Sequence, residues 1–537
     1  MSDYTTVAKA TVFLAALAVV AKVLGFIREM VLAYVFGANA TVDAYVVALT
    51  LPMVVFAVVG AALSVTAVPI FADYAARGEK PEAFRMFSHF TIVLALLLFL
   101  LVLALYPAAS RIILLIAPEL QPDTAILAAK LLRIMLPGLV FFSLANLFYG
   151  ILNANQVFGP PAVGPAVISL LTIAGTFCGI RFGIQGAAWG TLVGFAGAML
   201  LQLPFLSRAG FRLHWPIELR NPGVRKTFAV MLPMMVGSSI VQFYVLIDRF
   251  FASGLPAGSI SALNYASKVI LLPQAIIVLA LGTAIFPMLS DLSAQGRESA
   301  FSQAVDRSLK LMTLIALPCG VALAFLRKPI IAFLFQRGAF DQDAVSLTAF
   351  ALLCFSVGLV GHCLEPILTR SFYAMQDTGT PVKIAVFSVL VNLLLSMMLV
   401  RPFQLGGLAL ANSAAAILNV TILYTVLTRR VDTMRHNRLG GFFGQTVAAS
   451  LAAGAAAWIL DAMLAPLLPA GTLRLLVRLS LDGVAGAAVF GLICRVLKLD
   501  EYMFLRAALV GHIRTKASAE PEYSHSQEED LPAFVRR

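Results

Sequence analysis

The chain has 537 residues, of which 60% are hydrophobic and 12% charged, with a formal net charge of +12. Soluble domains average about 45–50% apolar residues, so this composition excludes a soluble enzyme or binding module and indicates a polytopic membrane protein. The positive charge sits in short loops, where it sets topology and implies no nucleic-acid partner.

Apolar stretches long enough to cross about 30 Å of hydrocarbon recur along the whole sequence. They predict an all-α protein with about fourteen transmembrane helices. In chain order the spans are 8–36, 43–72, 87–108, 125–152, 161–181, 185–207, 228–253, 262–292, 305–327, 345–375, 381–400, 406–428, 442–464 and 474–497. The first ten residues lack a basic n-region and a small-residue cleavage site, so the first hydrophobic segment is expected to be retained. Arg77, Lys80 and Arg85 follow the second span, and Arg208, Arg212, Arg220, Arg225 and Lys226 the sixth. Arg429, Arg430, Arg435 and Arg438 follow the twelfth, and Arg495, Lys498, Arg506, Arg514 and Lys516 the last. Loops 37–42 and 254–261 contain no Lys or Arg. The positive-inside rule then places both termini in the cytoplasm.

The sequence also repeats. A shift of 221 residues brings Arg28 onto Arg249, Pro52 onto Pro273, Pro160 onto Pro381, Gly186 onto Gly407 and Asp43 onto Asn264. Helices one to six thus pair with seven to twelve as two parallel six-helix repeats, and a C-terminal helix pair lies outside them. The expected domains are an N-lobe at 1–207, a basic cytoplasmic linker at 208–227 and a C-lobe at 228–428. A second linker at 429–441, the helix pair at 442–497 and a partly disordered cytoplasmic tail at 498–537 complete the chain. Two such lobes can rock about a central cavity. Pro52, Pro137, Pro273, Pro318 and Pro366 lie inside spans, where a missing N–H permits a kink. Gly190 and Gly194, spaced G-x-x-x-G, are expected to allow close helix packing. The five cysteines, Cys178, Cys319, Cys354, Cys363 and Cys494, have no paired spacing and are read as small buried hydrophobes.

Charge at membrane depth costs about 2.5–3.5 kcal/mol per residue on insertion scales and concentrates at transport paths. Here it occurs at Lys22, Arg28 and Glu29, at Asp248 and Arg249, and at Lys268. A cavity holding several cations suits an anionic cargo. No phosphate-binding G-x-x-x-x-G-K-[ST] loop, H-E-x-x-H or G-x-S-x-G motif is present, so no enzyme activity and no cofactor is expected. Any uphill work draws on a gradient, the membrane potential or downstream consumption. His362, deep in a span, reads as a satisfied interior histidine.

Lys22-Val-Leu-Gly-Phe-Ile-Arg28-Glu29, followed by Phe36-Gly37 and Val42-Asp43-Ala44-Tyr45, resembles the first two helices of the MurJ (MviN) lipid II flippase family. So do the segment Ala252 to Ala266, with Leu255-Pro256 and Asn264-Tyr265, and Arg370-Ser-Phe-Tyr-Ala-Met-Gln-Asp377 with Thr380-Pro-Val-Lys383. The resemblance spans essentially the whole chain and implies the MOP/MATE-like fold. It implies transfer of undecaprenyl-diphosphate-linked peptidoglycan precursor from the inner to the outer leaflet. The expected partners are that lipid-linked saccharide, membrane lipids and the cell-wall synthesis machinery.

By that resemblance, Lys22, Arg28 and Lys268 match cationic cavity positions that hold the diphosphate and sugar head. Glu29 and Asp43 are expected to pair with those cations, although protons or cargo contact are open alternatives. Asp248 matches a position that helps form a sodium site in some relatives, with Asn392 and Asn412 as possible contributors. Ser396 stands where a carboxylate would strengthen that site, so Asp248 is kept as a sodium candidate and no metal is assigned. Arg249, Glu365 and Arg370 are secondary candidates; Glu365 and Arg370 are five residues apart, too far for an i, i+4 pair. One departure concerns the second helix. The family has an asparagine and paired arginines after its Leu-Pro, whereas here Leu51-Pro52 precedes Met53-Val-Val-Phe56-Ala57. A flippase for another polyprenyl-diphosphate oligosaccharide, such as an exopolysaccharide or teichoic acid precursor, is therefore the alternative, ahead of a drug/cation antiporter. Helices thirteen and fourteen, rich in Ala and Gly, are expected to offer a groove for the isoprenoid tail.

Overall fold

A computed structural model describes residues 2–215, 222–431, 439–467 and 471–507. Arg220, Arg435, Arg438, Arg514, Lys516 and the expected disordered tail from about 515 lie outside the described residues. The described chain is helical: α1 (Ser2–Phe36), α2 (Ala40–Val55), a π-helical turn (Phe56–Gly60), α3 (Ala61–Ala76), α4 (Lys80–Ile116), α5 (Pro122–Met135) and α6 (Gly138–Ala154). Next come α7 (Gly159–Phe182), α8 (Gln185–Leu200), α9 (Leu203–Arg208), α10 (Pro222–Ala252), α11 (Ser259–Ala294), α12 (Glu298–Phe325) and α13 (Arg327–Phe335). The series ends with α14 (Gln342–Ser356), α15 (Leu359–Ala374), α16 (Gly379–Phe403), α17 (Leu405–Arg430), α18 (Leu439–Leu467) and α19 (Thr472–Val496).

Among the described residues, eleven helical segments are long and apolar enough to span a membrane, and two bent pairs bring the number to 13. The 35-residue α1 covers the first predicted stretch, 8–36. Several spans are interrupted in ways a hydropathy reading does not resolve. The second passes through the π turn one helical turn after Pro52, which removes a backbone donor from the ladder. The fourth bends by 43° between α5 and α6 at Leu136-Pro137, and the tenth by 40° between α14 and α15 at Val357-Gly358. Pro137 and Gly358 are 221 residues apart, so the two copies break at the same place. The turns before α7 and α16 also match, each carrying a glutamine in the left-handed region, Gln156 and Gln376, both at φ 61°. The short α13 was not predicted; nine residues are too few to cross a bilayer.

Small residues set the closest helix approaches. A Cβ added to Gly186 would lie 2.5 Å from the Gly175 carbonyl, and one on Gly190 would lie 2.6 Å from that of Leu171. The α7–α8 hairpin therefore packs backbone to backbone, and Gly194 against Ile168 continues the seam. Its counterpart, α16–α17, is closed likewise by Gly407, whose added Cβ would meet the Leu399 carbonyl at 2.0 Å. Between the repeats, α10 packs on α3, α4 and the π turn, α11 packs on α2, and α1 touches α13. The pair α18–α19 attaches through α12, which packs on α18, and through α13, which packs on α19. Three of the five cysteines are buried, Cys319 is half-buried, and Cys178 is exposed on the outward face of α7. In a membrane-spanning helix that face meets lipid, so its apolar side chain needs no protein cover.

Candidate functional site

Lys22, Arg28 and Glu29 lie on α1, and Lys268 lies on α11. Seven residues, close to two turns, separate Lys22 from Glu29, so both fall on one face of α1. All four residues line a single cavity of about 250 Å³ between the two helices, with Phe26 and Leu272 among its apolar walls. Lys22 is exposed, Arg28 and Lys268 are half-buried, and Glu29 is buried. The Arg28 guanidinium donates to Glu29 Oε1 at 2.7 Å. Asn264 Nδ2, one turn before Lys268, donates to Glu29 Oε2 at 3.2 Å. The Lys268 ammonium also acts on the Glu29 carboxylate, and Arg28 repels it. The structure thus brings the three cations that the sequence singles out to one cavity with Glu29, whose carboxylate pairs with Arg28 and is acted on by Lys268. With Glu29 counted, the cluster keeps a net positive charge, and one carboxylate cannot satisfy all of its donors.

Asp43 differs from the ion-pairing expectation. It is buried, and its two oxygens accept the backbone N–H groups of Gly258 at 2.6 Å and Ser261 at 2.7 Å. These are orphan donors at the start of α11, so a side chain from the first repeat caps a helix of the second. A carboxylate suits that place because the helix N-terminus carries positive partial charge. The buried Arg249 guanidinium also acts on it. Neighbouring contacts close the same end of the bundle. Tyr265 donates its hydroxyl to the Gly37 carbonyl at 3.1 Å, the Glu119 N–H donates to Ser253 Oγ at 3.2 Å, and the Ala339 N–H donates to the Tyr34 carbonyl at 2.9 Å. Gly258 sits at φ +91°, with the position of a Cβ only 2.6 Å from the Ala38 carbonyl, so only glycine fits there. Loops 37–42 and 254–261, the two without basic residues, are therefore bound to each other where α1 ends and α11 begins.

The secondary candidates do not line that cavity, although the Arg249 charge acts on Lys268. Asp248 is on α10 with its Oδ1 buried and without a hydrogen-bond partner, and Arg249 Nε is likewise unpartnered. Asn392 on α16 is fully buried, and neither of its side-chain polar atoms has a partner. Asn412, the other contributor expected at that site, has its Oδ1 3.0 Å from His362 Nε2. Glu365 is half-buried on α15 beside Asn419 and Tyr244, and Arg370 lies one turn from the end of the same helix. At the loop before α16, Asp377 accepts the Thr380 N–H at 2.9 Å and an ion pair from Arg430. Thr380 and then Arg430 hold the Asp377 carboxyl down to about 2.

A second cavity, a groove of about 640 Å³, runs between α12, α15, α17 and α18. Leu317, Val321, Val360, Leu364 and Phe443 make its walls almost wholly apolar. Sequence reading placed a groove on helices thirteen and fourteen; the structure builds it from α18 together with three helices of the second repeat. Asn264 and Tyr265, which bond to Glu29 and to the Gly37 carbonyl, are not among the sequence-predicted site residues, although both stand in the segment that carries the family resemblance.

A family model described as lipid II flippase MurJ matches residues 32–477. The chain is 32% identical to the lipid II flippase MurJ of Burkholderia cenocepacia, over 80% of this chain and 85% of that protein. The chain belongs to the MurJ family. A probable lipid II flippase MurJ of Vibrio cholerae is 28% identical over 85% of this chain and 89% of its own. Among solved structures, a lipid II flippase MurJ in an inward closed conformation superimposes with a TM-score of 0.77 at 24% identity, covering 90% of this chain and 99% of the other. An inward-facing multidrug MATE transporter of the MOP superfamily gives 0.65 at 17% identity, covering 78% and 99%. Both share the fold of two six-helix repeats, and the family membership makes this a multi-pass transporter.

Proposed function

We propose that this protein moves lipid II, the undecaprenyl-diphosphate-linked peptidoglycan precursor, from the inner to the outer leaflet by alternating access. The observation that carries this reading is the convergence of Lys22, Arg28 and Lys268 on one cavity between the repeats. A diphosphate is a dense anion, and charge-assisted hydrogen bonds from lysine and arginine in a low-dielectric site are stronger than in water. Glu29 holds Arg28 and Asn264 while the cavity is empty, and the diphosphate competes for the same donors. Cargo binding then frees the α1–α11 contact at Glu29 and favours a change of lobe position. The lobes are helices one to six and seven to twelve, with both termini in the cytoplasm. In that topology the loops joined by Asp43, Gly258 and Tyr265 form the outer gate, closed here. The groove against α18 takes the isoprenoid tail while the head crosses, and the emerging lipid passes to cell-wall synthesis enzymes.

Complementation tests the function. Expression in a strain depleted of its own lipid II flippase restores growth, whereas Arg28→Ala with Lys268→Ala does not, at equal membrane abundance. Failure of the native chain to rescue, with good expression, would point to a different polyprenyl-diphosphate saccharide.

A further inference from the structure

The α18–α19 pair carries a charged cluster of its own, remote from the α1–α11 cavity. Arg478 on α19 donates to Asp461 Oδ1 on α18 from Nε at 3.1 Å and from Nη2 at 2.5 Å, with a longer contact of 3.4 Å to the Asp461 carbonyl. One turn further along α19, Asp482 is 0% exposed, and neither of its carboxyl oxygens receives a hydrogen bond from the described residues. Its polar neighbour is the Asp461 carboxyl, within hydrogen-bonding reach. The seam around it is made of small residues: the position of a Cβ on Gly486 lies 3.5 Å from the Ala453 carbonyl and from Ala457.

The charges acting on Asp482 are those of Asp461 and Arg478. Arg474 lies two turns nearer the start of α19. Of the other helices packed on α19, α13 brings Arg327, which donates to the Ala324 carbonyl, and the exposed Lys328. The charges of α12, Glu298, Asp306, Arg307 and Lys310, lie in its first half, whereas Gly454 of α18 packs beside Val321 and Phe325 near its far end. Two carboxyl groups therefore share one guanidinium in a closed apolar seam. An ionised carboxylate buried without a donor is strongly disfavoured, and adjacent carboxylates do not both ionise readily.

We propose that Asp482 is a proton-binding site: its carboxyl holds a proton, donates it to the Asp461 carboxylate, and so completes a staple of Arg478, Asp461 and Asp482 between α18 and α19. Loss of that proton to water at the nearer membrane face leaves two anions against one cation and loosens the seam. Because α18 also walls the apolar groove through Phe442, Phe443 and Leu451, proton occupancy is coupled to the shape of that groove.

Infrared difference spectroscopy on the full-length protein in lipid nanodiscs tests this. The native protein minus Asp482→Asn should show a protonated-carboxyl carbonyl band at neutral pH, lost as pH is raised. An ionised-carboxylate band in its place overturns the proposal. Asparagine keeps both the shape and a donor towards Asp461. Asp482→Asn should therefore retain the native thermal midpoint at neutral pH and lose the native protein's fall in midpoint at alkaline pH. Asp482→Ala, without the donor, should be less stable at neutral pH. If Asp482→Asn is as destabilised as Asp482→Ala, or does not fold, the site holds no proton and the proposal fails.

Discussion

Removing the Asp43 carboxylate should open the end of the bundle that it now holds shut. Its two oxygens accept N–H groups of Gly258 and Ser261 at 2.6 and 2.7 Å, across the boundary between the repeats. Hydrogen bonds to charged groups contribute about 1.5–3 kcal/mol each, so the pair favours the closed arrangement by roughly 3–6 kcal/mol. At 1.4 kcal/mol per tenfold, Asp43→Ala shifts the closed-to-open ratio by about 10²–10⁴. Asp43→Asn keeps one acceptor but sets its amide donor against a backbone N–H, so it should lie between the two. Spin labels on Ala40 and Ala257, in a background with the native cysteines replaced, report the separation by pulsed electron resonance. The native protein without cargo should give one short-distance population, and Asp43→Ala should give a dominant longer one. A short, unchanged distance in Asp43→Ala would refute the reasoning, because the remaining contacts, Tyr265 to Gly37 and Ser253 to Glu119, would then suffice to hold the gate.

Four further outcomes are expected. Arg28→Ala or Lys268→Ala should weaken binding of purified lipid II about ten- to hundredfold, the equivalent of one charge-assisted hydrogen bond, measured by ligand-dependent thermal shift or calorimetry. Gly258→Ala, forced into φ +91° and against the Ala38 carbonyl, should cost about 1–3 kcal/mol of closed-gate stability and lengthen the same spin-label distance. The pH dependence at Asp377 has a definite sign. Its carboxyl sits at about 2 in the folded protein, below an unfolded value of about 3.9. The stability it supplies is therefore fully present above pH 4 and lost as pH falls towards 2. Asp377→Asn should remove that part of the acid dependence in melts followed by circular dichroism. Val360→Trp, which fills the apolar groove, should abolish rescue by the long-tailed cargo yet leave binding of a short-tailed analogue within about twofold, well under one tenfold step.

The sequence alone determined the membrane class, the spans and the repeat, because each is written in local composition or in a fixed offset. Apolar length specifies a crossing wherever it occurs, and the 221-residue shift reappears in the paired bends at Pro137 and Gly358, with the left-handed Gln156 and Gln376 one residue off that register. Charge in an apolar run also marked Lys22, Arg28 and Lys268, since burying a cation is costly whatever the fold. The partners of those charges depended on tertiary structure. Asp43 was taken for a cation's partner, yet it caps α11 from 215 residues away. Glu29 is held by Asn264 across a separation of 235. Asp482 lies inside the apolar span 474–497 without a partner legible in the sequence, and becomes the more enclosed of the Asp461 and Asp482 carboxyls once α18 lies against it. Hydropathy is a property of one segment, whereas a hydrogen bond between repeats needs two segments placed to within a few tenths of an ångström. Only the packing of α1, α2, α10 and α11 decides that placement.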